Sequence, residues 1–324
     1  MISPQDDYPH PVPFQAFMTW KENWVFPALD LDNDVSTLIH FSLRPALGEG
    51  IFTAKFNVRG EKFRYVGRSP IPPDLENFVP VRDERLTFTV VDPTKQFHVV
   101  YDGPDIHADL HYRGRFEPFD FADGPKPPGE STVGPIGLSV FPFNHYEQAL
   151  AMTGTLTIKE GPLAGEVIEI SGFSNRDHSW GWRDDFMFRH HHWVCASFDD
   201  LYVQGSSMLE TSYPDLKHGG FVSTAAGNQA TAHVDSSEAY WLAENEEFPP
   251  FDRDVSYTIT TVDGEKHTVT AHIGDALAKL YLNARSEDRS MVYQDCQIFC
   301  RYTHADGRKG SGVLEVGKML QGPG

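Results

Sequence analysis

The sequence predicts an all-β protein made of antiparallel sheets. Three observations carry that reading. Apolar residues recur at every second position, hairpin signals repeat along the chain, and helical spacing is nearly absent. Phe52, Ala54, Phe56 and Val58 alternate with Thr53, Lys55 and Asn57, as in a strand with one buried face. Leu86–Val91 and Phe97–Tyr101 read as strands across a turn that contains Pro93. Thr153–Ile158 and Val167–Ile170 read as a hairpin joined by a Gly/Pro loop. Ser256–Val262 and His267–His272 flank Asp263-Gly264, a pair suited to the left-handed hairpin turn. Gln297–Thr303 and Gly312–Val316 flank Ala305-Asp306-Gly307. One short helix is expected at Asp275–Asn283, where Leu277, Leu280 and Tyr281 recur at helical spacing. Many short strands with Gly and Pro turns favour barrels or sandwiches. Strands do not alternate with helices and no G-x-G-x-x-G occurs, which argues against a dinucleotide fold.

The chain has 324 residues, enough for one large or two ordinary domains with a core that needs no disulfide. Its net charge of −19 argues for solubility and against nucleic acid or an anionic membrane as partner. No apolar run reaches the length of a membrane span, so stable membrane insertion is not expected. Met1–Asp7 lacks the basic start and apolar run of a secretory signal. Cys195, Cys296 and Cys300 are odd in number and show no zinc spacing. Reduced thiols in the cytoplasm are the expectation. Phe119–Gly137 is rich in Pro, Gly and acid and reads as a long loop, one place where domains could divide.

The most chemically loaded stretch is Arg176-Asp177-His178-Ser179-Trp180-Gly181-Trp182-Arg183-Asp184-Asp185. Two Trp give apolar plates with N–H handles. Arg, Asp and His add charge, proton transfer and hydrogen-bond donors. Such a mixture suits a site for a largely apolar molecule with one reactive polar group. In a strand, His178, Trp180, Trp182 and Asp184 face one way and Asp177, Ser179, Arg183 and Asp185 the other, with Gly181 able to bend the alternation. The same residues would also make an inter-domain clamp of Arg–Asp pairs.

This motif resembles the tandem lipocalin-like superfamily that includes hydroxyneurosporene synthase (a carotenoid 1,2-hydratase) and the AttH-like proteins. Further likenesses are Trp24 with Phe26, His145-Tyr146-Glu147-Gln148 before Gly154, Gly172, and Gly219-Gly220-Phe221-Val222. The resemblance spans roughly Trp20 to Val316. It implies two calycin-type barrels in tandem, assigned to residues 1–172 and 173–324. It also implies an apolar cavity near the motif and no obligatory organic cofactor. Trp24 enters the cavity on this ground alone.

The expected activity is a cofactor-independent hydratase, dehydratase, cyclase or isomerase acting on a hydrophobic terpenoid, steroid or polyketide-like molecule. Protonation of an alkene needs an acid, and a carboxyl held neutral by apolar walls could serve. Asp177 and Asp184 are the candidate acids and His178 the relay. Indole faces could steady a cation. Substrate contacts are expected from Trp24, His145, Tyr146, Glu147, Arg176, Trp180, Trp182 and His191. His145 and Glu147 share a strand face and could meet the motif across a barrel. His190-His191-His192 invites a metal, but a strand separates alternate His, and no metal is assigned. His107, Asp109, His111 and Arg113 read as a solvated outer face. The alternative to an enzyme is a protein that only holds a lipophilic ligand. The oligomeric state is left open.

Overall fold

The computed structural model describes residues 2–14, 20–125, 143–182, 186, 188–210, 216–237, 254–286 and 290–321. Contacts divide the chain into two compact units, Met1–Ala122 with Val133–Arg183, and Asp123–Thr132 with Asp184–Gly324. Each is antiparallel β, so the all-β tandem lipocalin-like expectation holds.

The first unit holds β1 (Trp20–Asp30), β2 (Val35–Arg44), β3 (Glu49–Val58), β4 (Glu61–Pro70), β5 (Val81–Arg82), β6 (Leu86–Asp92), β7 (Gln96–Asp102), β8 (Ile106–Gly114), β9 (Phe119–Asp120), β10 (Phe143–Ile158) and β11 (Val167–Trp182). They form one sheet in the order β4-β3-β2-β1-β11-β10-β8-β7-β6-β5, with β9 paired to β10. The sheet curls, so inward side chains of strands far apart in that order meet. Phe26 on β1 lies 5.3 Å from Phe88 on β6, and Phe56 on β3 lies 5.6 Å from Tyr101 on β7, measured between ring centroids. Each such buried ring contributes about 1.5–3 kcal/mol. The strand predicted at Phe52–Val58 and the hairpins at β6–β7 and β10–β11 are present, although Thr53 and Asn57 on the second face of β3 are buried as well.

Gly172, where the sequence suggested a division, lies inside β11, and the contact division falls after Arg183. β11 packs its backbone tightly on β1 here. A Cβ at Gly172 would lie 2.0 Å from the Leu29 carbonyl oxygen, closer than any side chain tolerates.

The second unit holds β12 (Phe188–Ser197), β13 (Tyr202–Glu210), β14 (Lys217–Thr224), β15 (Gly227–Ser236), β16 (Val255–Thr261), β17 (Lys266–Ala271), β18 (Ala278–Arg285), β19 (Val292–His304) and β20 (Lys309–Gln321). Their order is β17-β16-β15-β14-β13-β12-β20-β19-β18. β17 also pairs with β19, from Val269↔His304 to Ala271↔Tyr302, which closes an eight-stranded barrel and leaves β18 outside the ring. Val194, Ala196, Cys296, Ile298, Cys300, Leu314 and Val316 fill its core. The predicted hairpins β16–β17 and β19–β20 are both formed.

Two sequence expectations are corrected. The helix expected at Asp275–Asn283 is instead strand β18, paired to β19 from Ala278↔Phe299 to Arg285↔Val292. Apolar residues this few fit either period, and the open edge of β19 decides. The loop expected from Phe119 begins with β9, where Phe119 and Asp120 pair with Glu147 and Tyr146. A 3-10 turn follows at Phe121–Asp123, and residues 126–137 of that stretch lie outside the described residues. All three cysteines are buried, and none forms a disulfide. Burial pushes the Cys296 and Cys300 thiols up to about 12. No described helix is long and apolar enough to cross a membrane.

Candidate functional site

β11 sits between β1 and β10 and presents the motif to both. Its register sets His178 opposite Trp24 and Tyr146, and Asp177 opposite Val25 and Glu147. Strand alternation therefore splits the motif. Arg176, His178 and Trp180 point into the first unit's core with Trp24 and Tyr146. Asp177 and Ser179 take the other face. Gly181, at φ +132°, bends the strand just beyond Trp180.

The outer face of this strand pair carries a compact ionisable cluster. His145 Nε2 lies 2.8 Å from Asp177 Oδ2 and 3.5 Å from Glu147 Oε1. His145 and Glu147 are buried, while the Asp177 side chain is 28% exposed and so opens the cluster to solvent. The Phe121 ring stacks on His145 at 4.3 Å and 3°. Burial alone would drive the imidazole neutral. The charge and hydrogen bond of Asp177, with those of Glu147, outweigh it and push His145 up to about 9.

The inner face carries a second network. His178 Nδ1 lies 3.1 Å from Tyr146 Oη, and its Nε2 lies 3.1 Å from Glu22 Oε1. Trp24 stacks on His178 at 4.4 Å. Burial would raise Glu22, but hydrogen bonds with His10 and His178 prevail and hold it below the ordinary carboxylate range. Burial holds His178 below the ordinary imidazole range against the opposing pull of Glu22. Arg176 is fully buried and donates to Asp7 Oδ1, to Gln148 Oε1 at 3.1 Å and to Tyr146 Oη at 3.0 Å.

The structure thus brings His145, Glu147 and Asp177 together, and Trp24, Tyr146, Arg176, His178 and Trp180 together. It does not bring Asp177 and His178 to one site. The alternation that makes them neighbours in sequence sends them to opposite faces. The Arg176 partners named above all belong to the first unit. Asp184 and the Trp182 side chain lie outside the described residues. His191 belongs to the second unit, where Nε2 lies 2.7 Å from Glu315 Oε1 and Nδ1 2.6 Å from Tyr293 Oη. His192 faces the barrel interior with Nδ1 2.8 Å from Tyr257 Oη, and burial holds it well below the ordinary range. His107–Arg113 does form the expected outer face, with Ala108, Leu110 and Tyr112 buried behind it.

Sequence reasoning missed Asp7, His10, Glu22 and Phe121. Asp7 and His10 stand in a Pro-rich segment with no strand pattern. Only the oddity of a Glu beside Trp24 in an apolar strand could have drawn notice to Glu22. Donor atoms within 4.8 Å of one another, as a divalent cation would need, occur at His10–Glu22–His178, His98–Asp109–His111, His145–Glu147–Asp177 and His191–Asp295–Glu315.

Comparison with solved structures gives the fold an independent frame. An AttH-like protein of Nitrosomonas europaea superposes with a TM-score of 0.64 at 14% identity, covering 98% of this chain and 96% of the other. Kievitone hydratase of Nectria haematococca gives 0.60 at 12%, covering 98% and 92%. CghA gives 0.62 at 11%, covering 98% and 95%, and is also solved with Sch210972. At these identities the likeness concerns the fold, and it bears out the tandem lipocalin-like resemblance. The comparison with curated proteins gives no match. The profile of one family, described as a domain of unknown function, DUF7064, matches residues 3–319, and the chain belongs to that family.

Proposed function

We propose that the protein is a cofactor-independent lyase or cyclase for a hydrophobic small molecule, with His145 as its acid. The observation that carries this reading is the buried imidazole between two carboxylates, pushed up to about 9 and in contact with the partly exposed Asp177. Support also comes from the names of two proteins that share the fold, a hydratase and a protein solved with a small molecule.

The chemistry assigns each side chain a role. His145 stays protonated at neutral pH and delivers its proton to an alkene carbon or a leaving hydroxyl. Asp177 and Glu147 remain carboxylates and balance the imidazolium. In hydration, water then adds to the resulting cation and gives its proton to Asp177. That proton returns to His145, so the protein ends unchanged. Asp177 becomes the base of the pair rather than the neutral acid expected from sequence, because the cation beside it favours its charge. His178, on the inner face, takes no part. Asp184 and Trp182 stay candidates from the sequence alone, and no place in this cluster is assigned to them.

The test is an untargeted one. Wild-type protein and His145→Gln are incubated with a terpenoid, steroid and polyketide library in ¹⁸O-labelled water and followed by mass spectrometry. The expected result is gain or loss of one water, or an isomer of unchanged mass, with wild type only. A loss of about 10²–10⁴-fold in rate is expected for the variant. Equal turnover by both proteins removes His145 as the acid. Binding without conversion by either makes the protein a carrier.

A further inference from the structure

The N-terminal segment before β1 occupies the inner network of the first unit. Pro4–Asp7 forms a single 3-10 turn, and Asp7 is fully buried. Its Oδ1 accepts from Arg176 Nη1 and from the Tyr146 hydroxyl, and its Oδ2 accepts from the Thr94 amide. Thr94 holds φ +63°, a conformation rare for a β-branched residue, in the β6–β7 turn that delivers this N–H. Gln148 braces the set by accepting from Arg176 Nε and donating to the Thr94 carbonyl at 2.8 Å. The guanidinium carbon lies 4.2 Å from the Phe97 ring centroid and 4.6 Å from that of Tyr146.

Three residues further on, the segment inserts a ring. His10 stacks on Trp180 at 4.0 Å and 8° and places Nδ1 2.7 Å from Glu22 Oε1. Arg176 Nη2 and Trp24 Nε1, both buried, have no acceptor among the described residues. A carboxylate held by a guanidinium, a phenol and a backbone amide is a built anion receptor. Its contacts come from strands β10 and β11 and a tight turn, which are rigid supports.

We infer that the interior of the first unit is a carboxylate-recognition site, occupied here by the chain's own Asp7. The ligand class it takes is a small carboxylic acid, and a flat ring beside the acid group would reproduce the His10 contact with Trp180. The receptor comprises Arg176, Tyr146 and the Thr94 amide, with Gln148 as the positioning residue. It lies on the opposite face of β11 from His145 and Asp177, so it stands whether or not the proposed activity does.

Chemical rescue of the full chain tests this. Asp7→Ala removes the internal carboxylate and leaves the receptor charged and buried. The melting temperature of Asp7→Ala is expected to fall by roughly 10 °C. Sodium formate or acetate should restore part of it in a saturable way. Equimolar sodium chloride should not, and wild type should respond to neither beyond the common salt effect. An unchanged melting temperature, or equal responses to formate and chloride, overturns the inference. If Asp7→Ala is recovered only as insoluble chain, refolding from urea with formate against chloride decides the matter instead. A higher folded yield with formate supports the site, and equal yields reject it.

Discussion

His145 and Asp177 stand on neighbouring strands, offset by two register positions, with Nε2 and Oδ2 2.8 Å apart. That contact keeps an otherwise buried imidazole charged. Asp177→Asn removes the charge but keeps the size and a hydrogen-bonding oxygen. The His145 pKa should fall from about 9 toward or below 6.5, because burial then meets Glu147 without the Asp177 charge. NMR titration of the His145 ring checks this, and a value still near 9 would assign the effect to Glu147.

The same residue shapes stability on the alkaline side. Folded His145 holds its proton to about 9, while the unfolded chain releases it near 6.5. The native state therefore binds more protons between those values. This stabilisation is fully present below pH 6.5 and is lost as pH rises through about 9. Its full size is about 3 kcal/mol. His145→Gln should flatten that part of the stability profile, measured as the urea midpoint at successive pH values.

Arg176 is a fully buried cation of the first unit. Arg176→Met leaves Asp7 without its counter-charge and should destabilise the protein by about 3–5 kcal/mol in urea unfolding. Arg176→Lys should recover only part of this. An ammonium keeps the charge but not the flat contact with Phe97 and Tyr146, nor the three-way donation to Asp7, Gln148 and Tyr146. A lysine variant as stable as wild type would reduce the role of Arg176 to charge alone.

Gly172 is required by packing. Gly172→Ala would drive a Cβ into the Leu29 carbonyl and should cost about 1–3 kcal/mol. Thermal unfolding with intact far-ultraviolet dichroism would show this. No loss would mean that β1 and β11 can separate locally at little cost.

Much of this architecture is legible in local pattern. Phe52–Val58 alternates because one face must be buried, and Asp263-Gly264 suits a turn that few other pairs adopt. The split of the motif into two faces follows from the same alternation. What the pattern cannot convey is who waits on each face. Asp7 reaches Arg176 across 169 positions, and Glu22 reaches His178 across 156. Neither carboxylate has neighbours in sequence that announce a partner. Asp177 and His178 invite a joint role because they are adjacent, yet adjacency in a strand means opposite faces. The strand at Ala278–Arg285 escapes local pattern because its few apolar residues fit both periods and pairing with the next strand, β19, makes the choice.

The pairing of β11 with β1 carries a consequence for how the protein is made. Trp20 meets Trp182 only after the ribosome has passed both. Until then β1 presents Trp24 and Glu22 along an unpaired edge, and Asp7 has no guanidinium to hold. A nascent first unit is a set of hairpins with an unfinished seam, and such edges invite chaperones or other chains. The strand that closes the seam is the one that bears the charged motif. Assembly of both its faces therefore coincides with completion of the unit, so a half-made chain displays neither cluster.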